Sequence, residues 1–517
     1  MSSEREAQDA SPGTETLDDA KFWHSIDWAE TERNVRRLRQ RIFKAEQEGD
    51  PKKVRNLQKL MLRSRSNTLS SVRRVTQRSL GRRTPGIDGE LALTPSERGR
   101  LVRSLAEDPA DGVRPVRRTH IPKANGKTRP LGIPVIRDRA QQARVKNALE
   151  PQWEARFEGR SYGFRPGRSC HDAIGAIFSI ISGKSRRRWV LDADLASAFD
   201  RINHDHLMGV IGDFPAIRAI HGWLKAGVME HGRFAPTEEG TPKGGVISPL
   251  LMNIALHGMF EAAGYRDDRS PAMTAKMPML VRYADDFVVF CTTESEALAV
   301  KDRLAAWLEP RGLALNEDKT RVVSLREGFD FLGFNIRRYP NDKTLIKPSN
   351  DAVRRIRKKV KEITVRLRSA PTTVVINELN PVVKGWATYY RGVVSSETFS
   401  RLDGYMWERM YRWSRRRHPM KSWGWIKTKY FGKRAPWSED RHVFGDDETG
   451  KFLHKFAWTK IVRHTLVKGR ASKDDPELDE YWAGRIRKRP YPQVEGKNVY
   501  LAARQKGLCP LCGLDLI

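Results

Sequence analysis

Cysteine is scarce in this chain, and long apolar runs are missing from it. Only four cysteines occur among 517 residues, too few for a disulfide scaffold, which indicates a reducing compartment. No uninterrupted apolar run is long enough to span a bilayer. The N-terminus also lacks the basic-then-apolar pattern of a secretory signal. We therefore expect a cytoplasmic protein with no membrane partner.

Acidic residues are outnumbered by basic ones. The chain has 95 Lys and Arg residues against 63 Asp and Glu residues, a formal net charge of +32. Such an excess must be solvated or matched by a polyanion, so the composition favours a nucleic-acid partner. The acids concentrate at the start, where residues 1–20 hold six of them and almost no large apolar side chain. We expect residues 1–30 to form a disordered acidic tail.

Two adjacent acids stand between β-prone segments in the stretch MLVRYADDFVVFC, where YADD occupies residues 283–286. The pattern predicts a strand–turn–strand hairpin with both carboxylates at its tip. Adjacent carboxylates repel each other, and a hard divalent ion such as Mg²⁺ takes oxygen ligands of this kind. A further acid, Asp194, lies near the end of a strand predicted over residues 190–195. A plain acidic turn and a strand-end salt bridge remain alternative explanations for these acids.

Two glycine-containing stretches carry cations. Asn125-Gly126 predicts a tight hairpin that brings Lys123, Lys127 and Arg129 together, as the triphosphate of a nucleotide would require. The loop GTPKGGVISPL precedes an apolar helix, and its glycines allow close backbone approach to phosphate or base. An exposed basic hairpin and an ordinary loop-to-helix junction would have the same sequences.

The character of the chain changes near residue 350. Apolar residues spaced three and four apart between Val353 and Leu367 predict one helical stripe, and residues 351–368 carry eight cations against two acids on the other faces. Aromatic residues follow among basic ones, and we interpret most as core with a few available for stacking on bases. Residues 420–495 indicate a small appended domain or loops that order on a partner. Cys509 and Cys512 are candidate zinc ligands, but a closed site needs four, so bound zinc is not expected.

In order, these stretches resemble a reverse transcriptase/maturase encoded by bacterial group II introns. The resemblance covers residues 35–517. It rests on the ordered blocks IPKANGKTRPLGIP, SYGFRPGRSCHDA, DADLASAFD, GTPKGGVISPLL, YADD, GLALNEDKT and FLGF, with LNPVVKGWATYYRGVV matching the family's thumb. The final RQKGLCPLCG resembles the start of an HNH endonuclease domain. The His and Asn residues for that chemistry are missing, so we do not expect second-strand cleavage.

The resemblance implies an α+β fold of the right-hand polymerase type, with fingers, palm, helical thumb and a basic C-terminal DNA-binding appendage. The implied domains after the tail are the N-terminal extension and fingers (31–180), the palm (181–345), the thumb or maturase domain (346–420), the basic DNA-binding region (421–498) and an HNH remnant (499–517).

The resemblance also assigns roles to residues. Asp194, Asp285 and Asp286 are the implied catalytic ligands of two Mg²⁺ ions. The implied nucleotide-binding residues are Lys123, Arg129, Leu195, Phe199, Lys243 and Gly244. The implied primer and template contacts are Gly245, Tyr283, Lys319, Phe331, Leu332 and Gly333. The implied RNA-binding residues are Arg354, Arg357, Lys358, Lys361 and Arg391.

Two of these positions carry particular expectations. Phe199 matches the bulky residue that closes over the nucleotide sugar and excludes a 2′-hydroxyl, although a core Phe would fit the same pattern. Lys243 stands where many relatives have Gln. It adds a point charge and loses an amide acceptor, so substrate discrimination or fidelity could differ here.

The implied function is RNA-directed DNA polymerisation combined with splicing of the protein's own intron and target-primed reverse transcription. The implied partners are group II intron RNA, target DNA, a primer–template hybrid and deoxynucleotides, within a cytoplasmic bacterial ribonucleoprotein particle. Two alternatives remain: a related polymerase used in defence or repair, and a non-catalytic RNA-binding splicing factor. The intact set of three acids argues against the last.

Overall fold

The computed structural model describes residues 12–107, 112–122, 126, 128–266 and 277–487, with the side chains of residues 12–17 and 487 excepted. The α-helices are α1 (Pro12–His24), α2 (Trp28–Gln47), α3 (Pro51–Arg63), α4 (Arg65–Arg73), α5 (Pro95–Glu107), α6 (Ile136–Arg156), α7 (Cys170–Ile181), α8 (Ala198–Arg201), α9 (His204–Ile211), α10 (Ile217–Lys225), α11 (Ser248–Ala255), α12 (Met259–Ala262), α13 (Glu294–Leu308), α14 (Asn350–Arg366), α15 (Thr372–Tyr390), α16 (Ser396–Arg417), α17 (Trp423–Tyr430) and α18 (Asp479–Arg487).

The β-strands are β1 (Val116–Pro122), β2 (Thr128–Ile133), β3 (Trp189–Asp194), β4 (Val228–Glu230), β5 (Arg233–Ala235), β6 (Met279–Tyr283), β7 (Asp286–Cys291), β8 (Arg321–Ser324), β9 (Phe329–Phe331), β10 (Phe334–Arg338), β11 (Thr344–Pro348), β12 (Phe431–Gly432) and β13 (Val443–Phe444). They form four sheets, in the orders β2-β1-β4-β5, β6-β7-β3-β8, β11-β10-β9 and β12-β13.

The N-terminal segment is helical from Pro12 onward. Helix α1 lies against α5, where Trp23 is buried in a small apolar cluster and Asp19 pairs with Arg103. The prediction of a disordered tail over residues 1–30 is therefore wrong from Pro12 to residue 30. An acid-rich composition indicates disorder only when the acids stay in water, whereas Asp19 is buried beside a cation. Residues 1–11 lie outside the described residues.

The second sheet carries the acids, and its central strand β7 is buried on both faces. All its strand pairs are antiparallel. Along β7, Phe287 and Val289 join a core shared with the helices of the N-terminal half, while Val288 and Phe290 join a core shared with the C-terminal helices. Because side chains alternate between faces, a strand buried on both faces is apolar at every position. The polar ends of these strands therefore stand out as the site.

The predicted turn at Asn125-Gly126 falls between β1 and β2. The register pairs Pro122 with Thr128, whereas a two-residue turn at Asn125-Gly126 would pair Pro122 with Arg129. The hairpin is therefore confirmed but its two-residue turn is not, and Asn125 itself lies outside the described residues. Strand β4 adds to β1 in parallel, so the basic hairpin belongs to a sheet separate from the one that carries the acids.

Three long helices, α14 to α16, follow the last strand of the third sheet. The predicted apolar stripe on α14 is confirmed, since Ile356, Val360 and Ile363 are buried. In the part of the chain that is described, no helix combines the length and apolarity needed to cross a membrane.

The C-terminal segment returns to the N-terminal helices. Arg39 on α2 donates hydrogen bonds to both carboxylate oxygens of Asp474, each at 2.7 Å, and a third at 2.9 Å to Glu150 on α6. Arg168 donates to the carbonyls of Gly469 and Ala471. The bonds to Asp474, Gly469 and Ala471 join residues that are 301 to 435 positions apart in sequence.

Candidate active site

The two adjacent acids lie where the hairpin was predicted. Strands β6 and β7 pair Tyr283 with Asp286, and Ala284 adopts a left-handed φ of 60° at the turn. Strand β3 pairs with β7 so that Asp194 is directly opposite Asp286. Directly opposed residues of antiparallel strands have Cα atoms about 4.5–5.5 Å apart. Acids far apart in sequence thus meet at one end of the sheet.

Burial and mutual repulsion perturb these acids. Burial raises the pKa of Asp286 to about 7, and the neighbouring charges of Asp285 and Asp194 contribute in the same direction. Burial also raises the pKa of Asp285, Asp194 adds to the effect, and the positive charges of Arg129 and Lys243 oppose it. Such a cluster is unstable when fully ionised and needs a cation nearby.

The donor set fits a hard divalent ion, because it consists of carboxylate oxygens that share one polar corner. Lys319 supplies a positive charge there, since its ammonium group donates a hydrogen bond to Asp194. Among the described residues, no three acid, His or Cys side chains are yet arranged as a closed metal cage. Lys319 and a metal ion would therefore compete for Asp194, although the ammonium group bonds to only one of its two carboxylate oxygens.

Two residues that sequence reasoning did not single out, Arg282 and Asn253, hold the turn in place together with Gly163. Buried Arg282 donates from Nη1 to Asn253 Oδ1 at 3.0 Å and to the carbonyl of Ala284 at 3.3 Å. Asn253 in turn donates to the carbonyl of Gly163 at 2.9 Å. A Cβ on Gly163 would lie 2.2 Å from the nitrogen of Ala284, so only glycine fits against the turn. The available signals were one Arg inside an apolar strand and one Asn inside an apolar helix.

The loop between Gly240 and Gly245 joins the β1–β2 hairpin to helix α8, which follows Asp194. Gly244 has a φ of 128° and its absent Cβ would lie 2.6 Å from the carbonyl oxygen of Gly132 on β2. The backbone of Lys243 accepts a hydrogen bond from Gly132, and its ammonium group bonds to Asp200 on α8. The backbone of Gly245 also lies close to Gln142. Asp200 was not recognised in the sequence.

Helix α8 follows Asp194 and carries Phe199, which is half-buried beside the palm core. The ring is thus partly available, so the sugar-closing role stays a prediction. The side chain of Leu195 is buried in the core, because Leu195 forms a bridge with Leu315 just beyond the strand. Leu195 can therefore meet a nucleotide only through its backbone.

The predicted primer contacts form a tight turn between β9 and β10. Leu332 and Gly333 both have positive φ, and their carbonyls accept hydrogen bonds from Tyr389 and Tyr390 of α15, each at 3.1 Å. The side chain of Phe331 is buried in the core behind the turn. A primer would therefore meet the turn's backbone and Leu332 rather than Phe331.

The predicted RNA-binding residues Arg354, Arg357, Lys358 and Lys361 are all exposed on α14. Arg354 pairs with Asp351 on its own helix, and the guanidinium of Arg357 lies 4.5 Å from the ring centre of Tyr405. Arg391 is partly exposed at the end of α15.

Three predicted site residues, Lys123, Cys509 and Cys512, lie outside the described residues. The nucleotide contact of Lys123, the zinc ligands and the HNH resemblance remain sequence predictions.

Family models match successive parts of the chain. The N-terminal domain of reverse transcriptase matches residues 23–105, and reverse transcriptase (RNA-dependent DNA polymerase) matches residues 121–336, which include all three acids. The group II intron maturase-specific domain matches residues 353–431. The fold is therefore that of a reverse transcriptase.

Several curated proteins are similar. Protein YkfC of Escherichia coli strain K12 is 36% identical over 312 residues, 54% of this chain and 82% of that protein. Group II intron-encoded protein LtrA of Lactococcus lactis subsp. cremoris is 30% identical over 321 residues, 47% of this chain and 53% of LtrA. Maturase-like protein 1 of Euglena gracilis is 28% identical over 378 residues, 72% of this chain and 78% of that protein. The match thus spans about half of LtrA.

Among solved structures, apo telomerase from Candida tropicalis aligns with a TM-score of 0.33 at 16% identity, over 48% of this chain and 60% of that chain. This likeness is too weak to carry an argument.

The chain belongs to the group II intron reverse transcriptase/maturase family. The predicted right-hand polymerase fold and the predicted class, RNA-directed DNA polymerase, are confirmed. Reverse transcriptases generally use divalent metal ions. The boundaries predicted for the individual domains stay predictions.

Proposed function

We propose that this protein binds its own group II intron RNA, assists its splicing and copies it by target-primed reverse transcription. The observation that carries the proposal is the pairing of Asp194 with Asp286 beside Asp285, in a chain that continues into a maturase-specific domain. A protein that only bound RNA would have no use for a buried, mutually repelling set of acids.

In the proposed reaction, the acids would bind metal ions and the nearby cations would bind the triphosphate. Asp194, Asp285 and Asp286 would hold two Mg²⁺ ions, which when bound activate the primer 3′-hydroxyl and stabilise the departing pyrophosphate. Arg129 and Lys243 lie near enough to Asp285 to oppose the rise in its pKa, so their charges are placed to neutralise a triphosphate there. Orientation and charge neutralisation account for most of the rate in phosphoryl transfer.

Other residues position the nucleic acid and the nucleotide. Phe199 closes over the sugar, Tyr283 and Gly245 support the terminal base pair, and the turn at Leu332 and Gly333 holds the primer. The tyrosines of α15 bond to that turn and so connect primer binding to the thumb.

The intron RNA would contact a different surface. An exposed basic face on α14 consists of Arg354, Arg357, Lys358 and Lys361. Arg391 lies at the end of the next helix, α15. Contacts of this kind are made mostly to phosphates, and they weaken steeply with salt. The basic region after residue 420 would bind target DNA, and the complex would form a cytoplasmic ribonucleoprotein particle.

Two assays on one pair of proteins test the proposal. The first is extension of a DNA primer on an RNA template in Mg²⁺, and the second is splicing of the intron that flanks the gene. We expect Asp285→Asn to lower extension at least a hundredfold, roughly the effect of removing one preorganised charge in an active site, while splicing continues. Asp302→Asn, an exposed acid on α13, is the matched control.

The outcomes separate the alternatives. Extension that survives Asp285→Asn would remove the catalytic assignment, and splicing without any extension by the wild type would favour the non-catalytic factor. Extension without binding to the flanking intron would favour a polymerase released from its intron.

A further inference from the structure

Phe164 is a large apolar residue with an exposed side chain and an energetically unfavourable backbone conformation. Its side chain is 50% exposed, and its φ is 62°, in the left-handed region that non-glycine residues rarely occupy. Among the described residues, six non-glycine residues have positive φ. Three of them, Phe164, Ser197 and Ala284, belong to the segments around the acids. Strain that is retained in this way tends to be stored at functional sites.

The neighbours of Phe164 on both sides are fixed. Gly163 is pressed against the turn at Ala284, as described above, and Tyr162 donates its backbone N–H to the carbonyl of Arg282 at 2.9 Å. On the other side, Arg165 is fully buried and donates two hydrogen bonds to Glu154, at 3.0 and 2.9 Å. The backbone on both sides of Phe164 is therefore held in place, which restricts where its ring can lie.

The Phe164 ring meets Phe199. Their centroids are 6.2 Å apart and the rings are inclined at 78°, an edge-to-face pair. Such a pair stabilises one relative orientation of two aromatic rings. Phe199 lies on α8, a single helical turn that begins after Ser197. So short a helix contributes little rigidity of its own, and the Phe199 ring depends on its contacts for its position.

We propose that Phe164 is a positioning residue for nucleotide selection. It holds the Phe199 ring in the position where the ring admits deoxyribose and clashes with the 2′-hydroxyl of ribose. The inference rests on the proposed function, because it requires Phe199 to close over the sugar. If Phe164 positions Phe199, the discrimination between sugars also depends on the YADD turn, which the proposed function alone does not require. Gly163 and Phe164 connect that turn directly to the sugar-closing ring.

The test compares the kcat/KM of a deoxynucleotide with that of the matching ribonucleotide in primer extension. We expect Phe164→Ala to lower this ratio by about threefold to tenfold, the range that loss of one aromatic pair allows, while extension with deoxynucleotides persists. Phe164→Gly removes the ring and also relieves the backbone strain, so it should lower the ratio equally. Phe178→Ala, on α7 and 47% exposed, is the matched control and should leave the ratio unchanged.

A double-variant cycle shows whether Phe164 acts through Phe199. In a Phe199→Ala background, Phe164→Ala should have no further effect on the ratio. An unchanged ratio in the single variant, or an equal further loss in the double variant, would overturn the inference. Absence of extension by the wild-type protein would instead overturn the proposed function, so the two failures are distinguishable.

Discussion

Lys319 donates a hydrogen bond to Asp194 at the end of the sheet where the three acids meet. This hydrogen bond is the main reason that the pKa of the Lys319 ammonium group is raised. The Lys319 side chain is 63% exposed and that of Asp194 is 17% exposed. The pair therefore stands at the mouth of the site, and the ammonium group bonds to one oxygen of the carboxylate that a metal ion would need.

Lys319→Met should lower the Mg²⁺ concentration needed for half-maximal primer extension. The lysine competes with metal for Asp194, but exposed ion pairs are weak, so we expect a change of roughly twofold to fivefold. A Mg²⁺ titration at fixed nucleotide measures it. Lys53→Met removes an exposed pair with Glu48 at the junction of α2 and α3 and should have no effect. A higher Mg²⁺ requirement in Lys319→Met would show that the lysine helps to bind substrate rather than competing with metal.

Asn253→Leu should weaken both the fold and the turn that carries the acids. The substitution leaves the buried guanidinium of Arg282 without its side-chain partner, which should cost about 2–3 kcal/mol of unfolding free energy. Urea denaturation measures that loss, and primer extension should show a lower kcat. Asn335→Ala breaks an exposed hydrogen bond to Asp330 and should change neither quantity. Loss of stability with kcat intact would mean that the turn does not depend on Asn253.

The metal-free protein should lose stability as the pH rises from 5 to 8. The pKa of Asp286 is raised to about 7, mainly by burial, whereas in an unfolded chain it is about 4. Between these values the folded protein binds the extra proton, so the free energy of unfolding falls with increasing pH. Asp192, whose pKa burial raises to about 6, acts in the same direction.

Asp286→Asn should remove part of this pH dependence and stabilise the metal-free protein at pH 8 by about 1–3 kcal/mol. Urea denaturation in a chelator at both pH values measures the difference, and Mg²⁺ should stabilise the wild type more than the variant at pH 8. Asp302→Asn should follow the wild type. A free energy of unfolding that rises between pH 5 and pH 8 would contradict a raised pKa of the buried Asp286 carboxyl group.

Charge reversal at Arg354, Arg357 and Lys358 should impair intron binding more than polymerisation on a short primer–template. Loss of three phosphate contacts should make the dependence of log K on log salt shallower by roughly 2–3 units, since each contact contributes about 0.7–0.9. Filter binding at several salt concentrations measures the slope. Reversal of Lys52 and Lys59, exposed on α3, tests whether the effect belongs to α14. Equal loss of both activities would count against a separate RNA surface.

Sequence patterns predicted the parts of this molecule that depend on neighbouring residues. The hairpin at YADD, the strand before Asp194 and the stripe on α14 follow from periodicity over a few residues. The proximity of Asp194 to the YADD turn was predicted only from the family resemblance, because the spacing of nearby residues does not determine the order of strands in a sheet.

Contacts between distant segments were not predictable in this way. The support of the turn by Arg282 and Asn253, and the pairing of Lys319 with Asp194, join residues whose proximity only the packed sheet creates. The burial of Leu195 and Phe331 was missed for the same reason. Disorder was predicted too far along the N-terminal segment because composition does not reveal that Asp19 would find Arg103.

The bonds from Arg39 to Asp474 and Glu150 have a consequence for dissecting the protein. A fragment that ended with the thumb would keep the guanidinium of Arg39 but lose one of the two acids that neutralise it, in a place where water cannot easily replace the missing oxygens. We therefore expect the polymerase half to be less stable alone than within the full chain. Deletions meant to isolate one activity would disturb the other through the scaffold they share.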